Sequence, residues 1–75
     1  MTGNPLGIAV ERLPVELGAF LKLARIVASG GEAKRAVQDG DVTVNGERER
    51  RRRRQLEAGD IVAAFGRSYR VEERP

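Results

Sequence analysis

The sequence predicts a small α+β fold, in which two short helices pack on a mostly antiparallel sheet. Three observations lead to this prediction. One segment has apolar residues at helical spacing, and the next carries both a helix start and a helix stop. The segments that follow alternate in polarity and are separated by turn residues, as strands are. The chain of 75 residues is expected to be one domain over 1–75, with a core at about 15–72 and loose ends at 1–7 and 73–75.

The first predicted elements are a short strand at Ile8–Val10 and a helix in the segment PVELGAFLKLARIV. Four apolar residues of that segment fall at i, i+3, i+4 and i+7, which define one face of a helix. These residues are Leu17, Phe20, Leu21 and Ala24. Pro14 suits the first helical position, where an N–H is not needed. Glu16 would lie near the positive end of the helix dipole.

The second predicted helix lies in ASGGEAKRAVQDG and has a signal at each end. Ser29 and Glu32 are three residues apart, which is the spacing of a capping box. Ala33, Ala36 and Val37 form a stripe of small apolar residues that allows close packing on the first helix. Gly40 follows the stripe and can take the left-handed conformation that ends a helix.

The remaining predicted elements are strands. Val42–Val44 alternates apolar and polar residues, and Asn45-Gly46 after it is a strong signal for a tight turn. Gly59-Asp60 indicates another turn, which leads into a predicted hairpin of Ile61–Phe65 and Ser68–Glu72. Phe20, Phe65 and Tyr69 are expected to pack in the core.

The segment VNGERERRRRRQ contains Arg50–Arg54, with Arg48 just before them. A strand here would be charged on both faces, and a helix would place like charges all around its axis. We therefore expect an irregular loop or an exposed edge strand, with Glu47 and Glu49 as partial counter-charges. A solvated edge is one interpretation. A ribbon that contacts phosphates is the one we favour, because guanidinium groups match phosphate oxygens and the charge is clustered.

Composition narrows the classes of function. Between residues 22 and 54 the basic residues exceed the acidic ones by five, although the whole chain carries only +3. Such a concentration favours a polyanionic partner. The chain has no cysteine and no histidine, so we expect no metal site and no cofactor, and a reducing, cytoplasmic location. Ser29 and Ser68 lack an activating base, so we expect no enzyme. No apolar run approaches the ~20 residues of a membrane span.

The run SGGEAKRAVQDGDVTVNG, together with Gly59-Asp60-Ile61-Val62 downstream and ELGAFLKLARIV upstream, resembles the S4 RNA-binding domain family. The resemblance covers about Val15 to Val62 and is strongest with the small stand-alone members. It implies a helix-turn-helix-like pair, the S4-like αL motif, on a small sheet. It also implies binding of structured RNA, as found in ribosomes, tRNA synthetases and RNA-modifying enzymes.

The resemblance also implies positions for RNA contacts. Lys22 on the first helix and Lys34 and Arg35 on the second would face phosphates, and the Asn45-Gly46 turn would shape the adjoining surface. One position departs from the family pattern: many members have Arg directly after the helix-starting Ser, where this chain has Gly30. The arginine run could supply the missing contact.

The prediction is therefore a monomeric, bacterial-type module that binds ribosomal or transfer RNA, with the ribosome as a candidate partner. Recognition should use shape and phosphates, because the chain has few aromatic residues for stacking. The predicted RNA-binding residues are Lys22, Arg25, Lys34, Arg35, Asn45, Arg48, Arg50, Arg51, Arg52, Arg53 and Arg54. Two alternatives remain open: a protein–protein adapter whose basic ribbon docks on an acidic partner, and general DNA binding.

Overall fold

The computed structural model describes residues 4–75 and confirms the predicted α+β fold. The elements in chain order are β1 (Leu6–Val10), β2 (Val15–Glu16), α1 (Leu17–Leu23), α2 (Gly30–Gln38), β3 (Val42–Val44), β4 (Glu47–Arg48), β5 (Gln55–Leu56), β6 (Ile61–Ala64) and β7 (Arg67–Glu73). Five strands form one sheet in the order β1-β7-β6-β3-β4, in which only β1 and β7 are parallel. Strands β2 and β5 form a separate antiparallel pair.

The core lies between the helices and the five-stranded sheet. Its fully buried side chains come from α1, α2, β3, β5, β6 and β7, and the larger ones are Phe20, Leu17, Leu21, Leu56, Val37, Val42, Val44, Val62 and Val71. Phe20 and Tyr69 are buried as predicted. The prediction for Phe65 is wrong: its side chain is 62% exposed, because it lies in the turn beyond the last residue of β6 rather than in the strand.

Helix α1 is shorter at both ends than the predicted segment, 14–27. It begins at Leu17, not at Pro14, because Val15 and Glu16 are extended and pair with Leu56 and Gln55. Its end is set by the backbone. Arg25 has a φ of 60°, and its N–H donates to Lys22 O while Ile26 N donates to Leu21 O. These two bonds form a Schellman motif, which stops the helix at Leu23, four residues before the predicted segment ends at Val27.

Helix α2 confirms the predicted capping signals. Ser29 Oγ accepts from Glu32 N at 3.2 Å, and the Glu32 carboxylate accepts from Ala28 N. At the other end Gly40 has a φ of 79°, and its N–H and that of Asp41 close a second Schellman motif. The two helices therefore end in the same way, with glycine in the left-handed position of one and arginine in that of the other.

The predicted loose ends need correction. Residues 1–3 lie outside the described part of the chain. Leu6 and Gly7 belong to β1 and pair with Tyr69 and Arg70. At the other end Glu73 is the last residue of β7, and Arg74 N donates to Val10 O at 2.9 Å. Local sequence patterns do not reveal these pairings, because the partners lie more than 60 residues apart in sequence.

Candidate nucleic-acid interface

The arginine loop, residues 49–54, connects β4 to β5 and is organised around a buried carboxylate. Glu49 is only 6% exposed, and its N–H donates to Val42 O. Its carboxylate accepts three bonds from Arg51, which are from the backbone N at 3.0 Å, from Nε at 2.9 Å and from Nη2 at 3.2 Å. It accepts a fourth from Arg54 Nη1 at 2.8 Å. The loop therefore folds over its own counter-charge.

These bonds keep Glu49 ionised. The hydrogen bonds from Arg51 and then Arg54 lower the pKa of the Glu49 carboxyl from 4.5 to about 2, against the opposing effect of burial. The sequence predicted that Glu49 is one of two partial counter-charges on a solvated edge. The structure corrects this, because Glu49 is buried whereas Glu47 is exposed, and only Glu49 is bonded to arginines of the loop.

The backbone of the arginine loop caps helix α1. Leu17 N donates to Arg54 O at 2.8 Å, and Gly18 N donates to Arg52 O at 2.9 Å. The first N–H groups of a helix have no partner within it, and Glu16 at the N-cap makes no side-chain bond to them. A Cβ on Gly18 would lie 2.7 Å from Arg52 Cγ, so glycine permits this close approach. The loop and α1 are thus joined at two points.

The loop and the helices enclose two adjoining depressions that share Arg52 and Arg53. Lys22, Glu16 and the first residue of α2, Gly30, also line one depression, and Lys34 and Arg50 line the other. We call this surface the basic groove and define it by Lys22, Lys34, Arg50, Arg52 and Arg53. In residues 4–75 none of these five side chains makes an ion pair. Arg50 Nη1 donates to Gln38 O at the end of α2.

Gly30 lies at the edge of this groove in open space. A Cβ at this position would meet no atom within 4 Å. The guanidinium-bearing residues Arg52 and Arg53 line the same depression. This juxtaposition supports the prediction that the arginine run supplies the cation that Gly30 lacks.

Comparison with known proteins identifies the family. A family model described as the S4 domain matches residues 8–72, which is most of the chain. The chain belongs to the S4 domain family. The family predicted from the helical and turn motifs is therefore confirmed.

Two curated proteins show how this S4 domain occurs elsewhere. The chain is 44% identical over 63 residues to the probable ribosome maturation protein RlbA of Bacillus subtilis (strain 168), covering 84% of this chain and 86% of RlbA. It is 41% identical over 59 residues to the tyrosine–tRNA ligase of Bordetella pertussis, covering 79% of this chain but 14% of the ligase. The same domain thus matches a small protein almost throughout and a small part of a large enzyme.

A solved structure agrees with the fold. The solution structure of YbcJ from Escherichia coli superposes with a TM-score of 0.70 and 36% identity, covering 96% of this chain and 92% of YbcJ. It is described as revealing an αL motif involved in RNA binding.

Six of the eleven predicted RNA-binding residues of this S4 domain are not among those that define the groove. Arg51 and Arg54 bond to Glu49, and the other four are Arg25, Arg35, Asn45 and Arg48. Arg25 ends α1 and lines a depression with Arg67, and Arg35 lines another with Asp39 and Asp41. Lys34 and Arg35 diverge because successive residues of a helix point in directions about 100° apart. Their predicted common surface is therefore not what the structure shows.

The other two are Asn45 and Arg48. Asn45 Oδ1 accepts from Ile61 N at 2.8 Å and its Nδ2 donates to Asp60 Oδ1 at 3.1 Å, so this side chain ties two turns together. Arg48 is exposed on β4, and its Cδ would lie 3.0 Å from a Cβ built on Gly40, at the end of α2. The sequence did not indicate the close approach of Gly18 to Arg52 or the burial of Glu49. The one signal for Glu49 was a single acid placed directly beside five arginines.

Over residues 4–75, no three His, Cys, Asp or Glu side chains come together in a way that could hold an ion. In the same residues, neither helix has the length and apolar character needed to cross a membrane.

Proposed function

We propose that this S4 domain binds structured RNA, ribosomal or transfer RNA, through phosphate contacts in the basic groove. The observation that carries the proposal is the meeting of Lys22, Lys34, Arg50, Arg52 and Arg53 around two adjoining depressions, with no carboxylate paired to them among residues 4–75. Glu16 also lines one depression, but five cations against this one carboxylate leave an excess of positive charge, and phosphates relieve the repulsion among the cations. Arginine adds a planar fork that matches two phosphate oxygens.

The arginine loop is organised before any RNA arrives. The Glu49 carboxylate and the two bonds to the start of α1 fix the backbone at Arg51, Arg52 and Arg54. Ordering a flexible loop on binding opposes association, and a loop that is already ordered avoids much of that loss. The internal ion pairs therefore support phosphate binding, although they occupy Arg51 and Arg54 themselves.

Recognition in this groove uses backbone and shape. No aromatic side chain lines either depression in the described part of the chain, and two of the three aromatic residues are buried. Stacking of unpaired bases on the groove is therefore not available. Contacts to phosphates on a folded or double-stranded RNA fit the observed side chains.

The names of RlbA and of the tyrosine–tRNA ligase favour ribosomal or transfer RNA. We place the protein in the cytoplasm, as a monomer.

The proposal is tested by two neighbouring substitutions with the same change of charge. Lys34→Gln removes a cation from the basic groove, and Arg35→Gln removes one from the depression that also contains Asp39 and Asp41. Binding is measured by fluorescence anisotropy on transfer RNA and on fragments of ribosomal RNA between 50 and 200 mM salt, values that span the steep range of counterion release. We expect Lys34→Gln to lower affinity on the order of tenfold and to reduce the salt slope by about one. Arg35→Gln should change affinity much less.

Three results would contradict the proposal. They are a complex insensitive to salt, an equal loss in the two variants, and equal competition by duplex DNA at matched salt. A different result would favour a protein–protein adapter: the chain binds no RNA, and its complex with an acidic protein survives nuclease treatment. Crosslinking in cells followed by sequencing would identify the RNA.

A further inference from the structure

Two turns of this sheet have the same backbone but different residues. Asn45-Gly46 joins β3 to β4, with φ of 53° and 86°, and Phe65-Gly66 joins β6 to β7, with φ of 53° and 81°. Positive φ at both positions defines a type I′ turn, which favours Asn or Gly at the first position. Asn45 fits this rule. A large aromatic residue at positive φ is a backbone outlier, and such outliers point to a functional role for the residue.

Burial in the core does not offset the conformation of Phe65 among residues 4–75, although Ile26 and Val27 line the depression beside it. The Asn45 side chain bonds to Asp60 and Ile61, whereas the Phe65 side chain is 62% exposed and does not enter the core. The strain and the exposed apolar surface both destabilise the free chain. An exposed aromatic side chain that the free chain does not use in its core fits the role of an interaction anchor, because aromatic anchors dominate many protein interfaces.

Phe65 borders a depression that is apolar at its base and acidic at its rim. Ile26, Val27 and Ala36 supply the apolar part, and Glu32, Asp39 and Asp41 supply carboxylates against one cation, Arg35. Asp39 and Asp41 make no ion pair within residues 4–75. Both follow the last residue of α2, where the helix dipole disfavours negative charge. The acids are thus also unfavourable for the free chain. We call this depression together with Phe65 the Phe65 surface.

We propose that the Phe65 surface docks a basic segment of a partner protein. An apolar side chain of that segment packs against Phe65, Ile26 and Val27, and its Lys or Arg residues pair with Asp39 and Asp41. RNA is disfavoured in this depression because its phosphates would approach three carboxylates against one cation. Arg25 and Arg67 line a separate depression that Phe65 also borders. The surface uses none of the residues that define the basic groove, so the protein can hold an RNA and a protein at the same time, and this inference does not depend on the proposed RNA binding.

The first test places a photo-crosslinking phenylalanine, p-benzoylphenylalanine, at position 65 of the full chain in the cells from which it comes. Position 6 is a matched control, since Leu6 is also 62% exposed. We expect position 65 alone to crosslink one protein at a segment rich in Lys and Arg. Crosslinks to RNA or to a second copy of this chain would overturn the proposal. So would no crosslink, or the same products from position 6.

The second test uses a synthetic peptide with the sequence of the crosslinked segment. Phe65→Asn keeps a residue that the turn accepts and removes the anchor, so its melting temperature should rise while peptide affinity falls at least tenfold. The double variant Asp39→Asn with Asp41→Asn should lose a similar factor and lose the salt dependence of peptide binding. RNA affinity should not fall in either variant. Peptide affinity unchanged in either variant would overturn the proposal, whatever the outcome for RNA.

Discussion

The arginine loop and the Phe65-Gly66 turn both break an ordinary rule of sequence, and they differ in what surrounds the exception. Five consecutive arginines should repel one another, yet two of them bond to the buried Glu49. The loop is also joined to α1 by two backbone bonds. Phe65 has a positive φ and is 62% exposed, and among residues 4–75 it is not part of the core. An unusual segment that the chain stabilises with its own contacts, such as the arginine loop, is part of the fold. An unusual residue without such stabilisation, such as Phe65, points to a partner.

The strongest test of this contrast removes the internal support of the loop. Glu49→Gln replaces a carboxylate that accepts four bonds, and we expect a loss of about 2 kcal/mol in the free energy of unfolding. Urea denaturation measures it. Glu47→Gln is the matched control because Glu47 is exposed and bonded to none of the arginines of the loop. RNA affinity separates two explanations further: charge alone predicts tighter binding by Glu49→Gln, whereas loss of loop order predicts weaker binding.

The same carboxylate gives a dependence on pH with a defined sign. Because folding lowers the pKa of Glu49 from 4.5 to about 2, its contribution is complete above pH 4.5 and is lost as the pH falls toward 2. The wild type should therefore lose stability across that interval more steeply than Glu49→Gln does. Urea titrations at several pH values measure this, and parallel curves would show that Glu49 does not hold the loop.

The second test relieves the unsupported exception. Phe65→Asn should stabilise the protein by about 1 kcal/mol, because asparagine accepts the left-handed conformation at less cost than phenylalanine. The reciprocal change Asn45→Phe should destabilise it, since it introduces the same strain and removes the bonds to Asp60 and Ile61. Thermal denaturation measures both. If Phe65→Asn is destabilising, Phe65 contributes to the fold and the contrast with the loop disappears.

The smallest effect on stability is expected inside the loop. Arg53 has no ion pair among residues 4–75, and Arg53→Gln should change the free energy of unfolding by less than about 0.5 kcal/mol. Arg54→Gln breaks the bond to Glu49 and should cost more. RNA affinity should show the opposite order, with the larger loss in Arg53→Gln. A common order in both measurements would mean that the loop is not divided into supporting and binding arginines.

Local signals in the sequence were sufficient for the middle of the fold. Ser29 and Glu32 marked the start of α2, Gly40 marked its end, and Asn45-Gly46 marked the turn after β3. Each of these depends on the conformation of a few adjacent residues. The start of α1 could not be found this way, because Val15 and Glu16 pair with residues about 40 positions later in the chain.

The sequence was sufficient to predict the cations of the candidate site, but not how they are arranged on one surface. The arginine run and Lys34 were visible in the sequence, but which side of α2 meets the loop depends on where the loop folds. That position depends on Glu49, whose burial has no local signature. Arg25 looked like a member of a charged helix face, whereas it takes the left-handed position that ends α1.

The sheet order has a consequence for how such a module can be joined to other proteins. β1 and β7, which carry the two ends of the described chain, form one margin of the sheet, while β4, which leads into the arginine loop, forms the opposite margin. A tether attached at either end therefore leaves from the side away from the polycationic segment. The same unit can be fused before or after a larger catalytic body, or carry a purification tag, at the margin opposite β4.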